Sequence, residues 1–178
     1  AILTRSDHLS GSDRIYEVYL KELKNDVDLI INLQGDMPNI TPNSISKLEK
    51  LMRSGNCDIG TLASKIVDDK ETTNPNIVKV QVDETLQGDA FIEAKDFFRI
   101  KKDLNNEKIY HHIGIYAFTR EALIRYVSLE QTKKETSRNL EQLRALDNDM
   151  KIHVGYTSSV PLSVDTEEDL KKIEKLMK

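Results

Sequence analysis

The sequence lacks the features that would mark a secreted, membrane-bound or nucleic-acid-binding protein. It has one cysteine, Cys57, which excludes an internal disulfide and an all-cysteine metal site. No apolar run approaches the ~20 residues of a membrane span, and no N-terminal segment has the layout of a secretory signal. The net charge is −4 and there is no basic stripe for nucleic acid. We therefore expect a cytoplasmic protein that binds neither nucleic acid nor a membrane.

The composition is that of a globular domain, with 178 residues, 38% apolar and 31% charged. We interpret residues 1–178 as a single domain. Segments with strand and helix periodicity alternate along the chain, which predicts an α/β fold with a mainly parallel, mixed sheet. Residues 1–4 already read as a short apolar strand, which suggests an N-terminally incomplete domain.

The apolar periodicity also predicts the individual elements. Strands are predicted at residues 28–33, 58–67, 77–82, 90–94, 110–118 and 151–156. Helices are predicted over 140–146 and after the N-caps Ser12, Thr41, Thr119 and Thr166. The strand at 28–33 is apolar enough to be buried on both faces. The polar stretches 95–108 and 131–138 are predicted to be a loop and a linker.

The most informative segment, residues 32–38, reads Asn-Leu-Gln-Gly-Asp-Met-Pro directly after a buried strand. It leaves the carboxylate of Asp36 at the C-terminal tip of that strand, where ligands bind in open α/β sheets. Such a carboxylate can hold Mg²⁺ against the phosphates of a nucleotide. The alternative is an ordinary tight turn in which Asp36 bonds nearby backbone.

Three further polar clusters could carry chemistry. The loop at residues 4–14 can present backbone N–H groups and Arg14 to an anion or a base edge, or it can be a solvated loop with a helix cap. His111 and His112 are neighbours in a strand and should point to opposite faces, which argues against a paired zinc site. Asp165 lies at a second strand tip, where it could share a metal with Asp36 or merely assist the cap of the last helix.

Taken in order, these segments closely resemble the 3-deoxy-manno-octulosonate cytidylyltransferase (CMP-Kdo synthetase) family. The matching segments begin at residues 7, 32, 74, 112, 140 and 164, and they read DHLSGSDR, NLQGDMP, NPNIVKV, HIGIY, LEQLR and VDTEEDL. The resemblance runs from Ala1 to the end of the chain and implies a Rossmann-like nucleotidyltransferase fold.

The resemblance also implies a reaction, a cofactor and a set of site residues. The family transfers CMP from CTP to the acid sugar Kdo and releases pyrophosphate, with Mg²⁺, in the cytoplasm of Gram-negative bacteria, where the product feeds lipopolysaccharide synthesis. A homodimer is also implied. The resemblance makes Asp36 and Asp165 the catalytic, metal-binding aspartates. It assigns nucleotide binding to Ser10, Gly11, Ser12, Arg14 and Gln34, and sugar binding to Arg99, His112, Tyr116, Glu141 and Gln142.

Two departures from the family pattern bear on activity. The family's first strand and basic triphosphate-binding loop have no counterpart here, a difference of roughly 70 residues, or two βα units. We therefore expect this chain alone not to catalyse the reaction, and a rate near that of a full-length homologue would contradict this. Before Arg99 the family reads Ala-Leu-Tyr-Phe-Ser, whereas this chain reads Ala-Lys-Asp-Phe-Phe. A related acid sugar as substrate, or an inactive fragment that keeps only a binding surface, are the alternatives.

Overall fold

Six strands form one sheet in the computed structural model, which describes residues 1–8, 10–24, 26–101, 107–164 and 166–177. The strands are β1 Leu29–Asn32, β2 Ile59–Ser64, β3 Lys79–Val82, β4 Phe91–Phe98, β5 Lys108–Thr119 and β6 Ile152–Tyr156. The helices are α1 Gly11–Val18, continued by a π-helical turn at Tyr19–Leu23, α2 Pro42–Ser54, α3 Asp69–Thr73, α4 Arg120–Val127, α5 Lys133–Arg138, α6 Leu143–Asp147 and α7 Glu167–Leu176. Among these helices none has the length and apolar content needed to cross a bilayer.

The sheet is mixed, with the strand order β1-β5-β2-β6-β4-β3, and β3 also pairs with β5. Strands β1, β2, β3 and β6 run in one direction, while β4 and β5 run in the other. The predicted mixed α/β sheet is confirmed. The expected predominance of parallel pairs is wrong for the described strands, because β5 lies between β1 and β2, and β2–β6 is the one parallel pair.

The long strand β5 has an open stretch along one edge. Strand β2 pairs with one edge of β5, so β1 and β3, which pair at some of the same β5 residues, must share the opposite edge. On that edge β1 pairs with residues 116–119 and β3 with residues 108–111. Residues 113–115 lie between these pairings, since the His112 N–H still donates to the Val78 carbonyl oxygen at 3.0 Å, and Ile113 and Gly114 line the cleft described below.

Helix α2 covers the sheet close to this edge. It begins and ends where the sequence predicts, because the Thr41 side chain accepts from the Ser44 N–H, Pro42 suits the first turn, and Gly55 terminates it. Its buried residues Leu48, Leu51 and Met52 face the sheet. The helix packs so closely that a Cβ at Gly60 would lie 2.4 Å from the Met52 sulfur.

Several predicted boundaries are wrong. The stretch 131–138 contains helix α5, because Thr132 and Glu135 form a capping box, and β4 extends through Phe98 into the predicted loop. Residues 1–4 are not in a strand. Helix α1 is capped by Ser10 rather than Ser12. Strand β1 is half-buried along most of its length, because it lies at the edge of the described sheet.

Candidate active site

A cleft of about 540 Å³ lies at the open edge of β5, next to the C-terminal end of β1. Five chain segments contribute to it: the loop after β1, the loop before β3, β5 itself, the turn before α6, and the segment that leads to α7. Of the residues predicted for the site, the cleft is lined by Gln34, Asp36, His112, Tyr116, Glu141 and Gln142. The sheet therefore brings together residues that the sequence places up to about a hundred positions apart.

Asp36 occupies the position that its motif predicts. It lies in an exposed turn just beyond β1, and its Oδ2 accepts a hydrogen bond from the Ser163 hydroxyl at 3.3 Å. The Val164 N–H donates to the Asp36 carbonyl oxygen at 2.9 Å, so the segment before α7 runs beside this turn. Ser163 was not predicted from the sequence, since no motif marks it. Asp165, the other predicted metal ligand, lies outside the described residues.

His112 is buried in the floor of the cleft, and its protonation follows from its contacts. Its Nε2 lies 2.9 Å from the Thr61 hydroxyl, which itself lies 2.7 Å from the Ile115 carbonyl oxygen. Because the hydroxyl has one proton and gives it to a carbonyl, it must accept from Nε2–H. Burial, together with the charge of His111, lowers the pKa of His112 to about 3. The ring is therefore neutral, with Nδ1 as its acceptor.

His111 also borders the cleft, although neighbouring residues of a strand are expected to point to opposite faces. The two side chains still have different partners, as their strand positions predict. His111 Nδ1 lies 2.7 Å from Glu71 Oε2 on α3. Partial burial opposes the ionisation of Glu71, but hydrogen bonds from His111 and from the backbone of Asp68 and Val67 lower its pKa overall. The pair ties α3 to β5 at the cleft rim.

Tyr116, Glu141 and Gln142 form the most buried side of the cleft. Burial raises the pKa of the Tyr116 phenol well above its usual value, so it is a neutral donor. Burial also raises the pKa of the Glu141 carboxyl, against the opposing effects of Ser10 and Arg144. Gln142 is buried as well. Arg144 in the following helix makes a bidentate ion pair with Glu135, at 2.6 and 2.9 Å, which fixes this turn relative to α5.

The predicted nucleotide loop lies beside the cleft rather than in its lining. Gly11 packs against the side chain of Asn32 at the end of β1. Ser12 is buried and donates a long hydrogen bond, 3.5 Å, to Glu141. Ser10 caps α1 by accepting from the Asp13 N–H. Arg14 donates to the Thr4 hydroxyl and to a backbone carbonyl of the N-terminal segment.

Asn32 contains an unusual buried donor. Asn32 is only 6% exposed, and its Nδ2 has no hydrogen-bond partner among the described residues. The nucleotide loop and the strand that leads to Asp36 thus meet at a polar group with unused bonding capacity.

Arg99, predicted to bind the sugar acid, is not among the cleft-lining residues. Its Nη1 donates to the carbonyl oxygens of Pro75 and Asn76, at 2.9 and 3.3 Å, and so holds the loop before β3 from behind. Lys79 in the same region was not predicted as a site residue, because in the sequence it only alternates with apolar residues of a strand. It is 1% exposed and bonds three main-chain carbonyls.

The lining of the cleft is acidic. Asp36, Glu141 and Asp169 contribute carboxylates, whereas no lysine or arginine of the described chain lines it. Among the described residues no group of three or more histidine, cysteine, aspartate or glutamate side chains forms a ready-made metal cage. The oxygen donors around Asp36, namely its carboxylate, the Ser163 hydroxyl and the Gln34 amide, fit a hard cation such as Mg²⁺, which binds few protein ligands.

The fold of this chain matches that of solved α/β nucleotidyltransferases. A solved CMP:2-keto-3-deoxy-manno-octonic acid synthetase, in complex with CTP, matches with a TM-score of 0.86 and 34% identity over 99% of this chain and 71% of its own. The 4-diphosphocytidyl-2C-methyl-D-erythritol synthase of Anaerococcus prevotii shares the fold alone, with a TM-score of 0.56 and 16% identity over 96% of this chain and 67% of its own.

The sequence places the chain more narrowly. It matches the cytidylyltransferase family over residues 1–152, and the chain belongs to that family. The 3-deoxy-manno-octulosonate cytidylyltransferase of Brucella ovis is 44% identical over 96% of this chain and 68% of its own length. The protein of the same name from Bartonella bacilliformis is 40% identical over 99% of this chain and 72% of its own length. The family resemblance seen in the motifs is thereby confirmed.

Proposed function

We propose that this chain provides the site at which CMP is transferred from CTP to Kdo, giving CMP-Kdo and pyrophosphate. The relatives from Brucella and Bartonella carry the name of this activity, and the matching solved synthetase is in complex with CTP. The observation that carries the proposal is the cleft itself. Its lining contains the strand-tip carboxylate of Asp36 and Gln34 as well as the neutral polar groups of His112, Tyr116 and Gln142.

In this proposal the buried side of the cleft holds the acid sugar. The neutral His112 offers Nδ1 as an acceptor to a sugar hydroxyl, while Tyr116 and Gln142 offer donors. Glu141, whose pKa is raised by burial, accepts from a further hydroxyl or shares a proton with it. Orientation of the anomeric hydroxyl towards the α-phosphorus is the main contribution of these residues, since a fixed geometry replaces a bimolecular encounter. The hydroxyl oxygen bonds to the α-phosphorus and its proton passes to solvent, while the bond from the α-phosphorus to the α,β-bridging oxygen breaks and pyrophosphate leaves.

The nucleotide occupies the side of the cleft next to α1. Ser10, Gly11, Ser12 and Arg14 stand at the N-terminal end of that helix, where backbone N–H groups favour polar and anionic partners. Gln34 continues this side into the cleft.

Mg²⁺ is the proposed cofactor, held by Asp36 and, by resemblance to the family, Asp165. When bound it supplies charge neutralisation at the phosphates. Three carboxylates line a cleft proposed to hold two anionic substrates, and a divalent cation removes that conflict. By the same resemblance we propose a cytoplasmic homodimer that serves lipopolysaccharide synthesis.

Calorimetric titration of Kdo tests the sugar assignment. The chain is saturated with Mg²⁺ and a CTP analogue whose α,β bridge is methylene, so no transfer occurs, and N-acetylneuraminic acid is titrated in parallel. Kdo should bind, and Gln142→Leu should weaken it about 10-fold by removing the buried amide while keeping its volume. The exposed Gln87→Leu, outside the cleft, is the control. Tighter binding of N-acetylneuraminic acid than of Kdo would identify the nine-carbon acid as the substrate in place of Kdo. Binding of neither sugar would overturn the proposal.

A further inference from the structure

Two cationic side chains bind every carbonyl oxygen of one wall of the cleft. The wall is the loop before β3, residues 74–77, which we call the wall loop. Lys79 Nζ and Arg99 Nη1 are the donors. The accepting oxygens and their distances are Asn74 at 2.7 Å and Ile77 at 2.9 Å from Lys79, and Pro75 at 2.9 Å and Asn76 at 3.3 Å from Arg99.

The ammonium of Lys79 lies within the protein. The residue is 1% exposed, and its third bond goes to the Arg99 carbonyl oxygen at 2.6 Å. Its three N–H donors are therefore matched by three main-chain acceptors, as a buried cation requires. Because that third acceptor belongs to Arg99, the two cations and the wall loop form one connected unit.

The opposite side of the wall loop faces the cleft. Asn74, Asn76 and Ile77 are lining residues, whereas neither Lys79 nor Arg99 is. Oxygens that bond these two cations face away from the cleft. The wall that a ligand meets is therefore built from side chains, with the negative ends of four peptide dipoles turned towards fixed positive charge.

This arrangement matters because the cleft is acidic and its proposed ligands are anions. Carbonyl oxygens directed into the cleft would add to the repulsion from Asp36, Glu141 and Asp169. Two cations behind the wall act in the opposite sense. Lys79 is buried, so its field crosses protein rather than water and is screened less than that of a surface charge, whereas Arg99 is only partly buried.

We propose that Lys79 and Arg99 are positioning residues that hold the wall loop with its carbonyls directed outward and supply the positive potential that favours the carboxylate of the acid sugar. This inference rests on the proposed function and deepens it. It gives Arg99 an indirect role, through the loop, in place of direct contact with the sugar.

The test compares Arg99→Met, Arg99→Lys and Lys79→Met with Lys108→Met as the matched control. Lys108 also donates to a main-chain carbonyl, that of Asp83 at 2.9 Å, but it is exposed and lies outside the cleft lining. Calorimetry measures Kdo, the uncharged Kdo methyl ester and CTP with Mg²⁺. Hydrogen exchange measures opening of the wall loop in the same variants. It therefore tests whether Lys79 and Arg99 hold the wall loop even where no sugar binds.

We expect Arg99→Met to weaken Kdo binding about 10-fold, to change ester and CTP binding less than about 2-fold, and to accelerate exchange in the wall loop. Arg99→Lys should restore most of the Kdo affinity, because it restores the charge. Lys79→Met should have the same effects if that variant folds. If it does not fold, the result for Arg99→Met alone tests the proposal. Equal losses for Kdo and ester would overturn the electrostatic role. Unchanged hydrogen exchange in the wall loop would overturn the role of these residues in holding that loop. Failure of the wild type to bind any sugar would overturn the proposed function alone.

Discussion

At the scale of single residues, burial decides which groups in the cleft are charged. His112 and Tyr116 are both buried, and the pKa of each moves in the direction that keeps the side chain neutral. Asp36 lies in an exposed turn only a few residues from β1. The cleft therefore combines neutral hydrogen-bonding groups on its inner side with a carboxylate at its mouth.

The neutrality of His112 makes a prediction about stability and pH. Its pKa is about 3 in the folded chain and near 6.5 when exposed, so the unfolded chain binds more protons between these values. The free energy of unfolding should therefore fall as the pH drops below 6.5, by about 2 kcal/mol at pH 5.0 from this residue alone. Urea denaturation at pH 7.5 and 5.0 measures it.

The variant His112→Gln provides the comparison, since its amide can still donate to Thr61 but does not titrate. Its free energy of unfolding should lose about 2 kcal/mol less between the two pH values than that of the wild type. Identical pH dependence in the two proteins would show that His112 is already charged, or accessible, in the folded state.

The sequence predicts some site residues and not others for definite physical reasons. Asp36 could be predicted because a carboxylate after an apolar strand is a local pattern. Lys79 could not, because lysine is almost never fully buried and its burial depends on carbonyls contributed by two other segments. For Arg99, the loop that its side chain binds is not visible in a linear sequence.

At the scale of elements, helix α2 packs closely against the sheet. Met52 lies over Gly60 of β2, and Leu51 lies over Gly155 of β6, in each case where a Cβ would lie 2.4 Å from a side-chain atom. The two glycines therefore let the helix approach β2 and β6, which are paired side by side. Close approach keeps Leu48, Leu51 and Met52 buried.

A methyl group at Gly60 should consequently displace the Met52 side chain from its packing on the sheet. We expect Gly60→Ala to lower the free energy of unfolding by about 1–3 kcal/mol, the usual effect of overpacking a core. The added carbon would meet Met52 at 2.4 Å and Phe91 at 3.0 Å. Chemical denaturation measures the change. Gly35→Ala is the control, because a Cβ there meets nothing within 4 Å, and equal stability of the two variants would contradict the packing account.

Local sequence patterns predict elements well only when the decisive signal is short-range. Helix α2 was predicted from Thr41 and Gly55 because caps act within one turn. Helix α5 was missed because its composition is polar, although the capping box of Thr132 and Glu135 is readable in the sequence. Its stability also depends on the ion pair with Arg144, which no local pattern shows.

At the scale of the whole molecule, the cleft exists because two strands, β1 and β3, share one edge of β5. Strands β1 and β3 pair with the same edge of β5 and leave residues 113–115 open between them. The loop after β1, the wall loop and the segment before α7 all converge on that opening. The α/β class was predictable from periodicity, whereas this order of strands is a long-range property and was not.

The central claim is that the cleft at the tip of β1 binds the CTP–Mg²⁺ complex through Asp36. Calorimetric titration of CTP with Mg²⁺ into the wild type and Asp36→Asn tests it most directly, with Asp83→Asn as the control because Asp83 is exposed and outside the cleft. We predict that Asp36→Asn weakens Mg²⁺-dependent binding about 10-fold or more, while Asp83→Asn binds like the wild type. Equal affinity of all three proteins, or CTP binding that needs no Mg²⁺, would contradict the account.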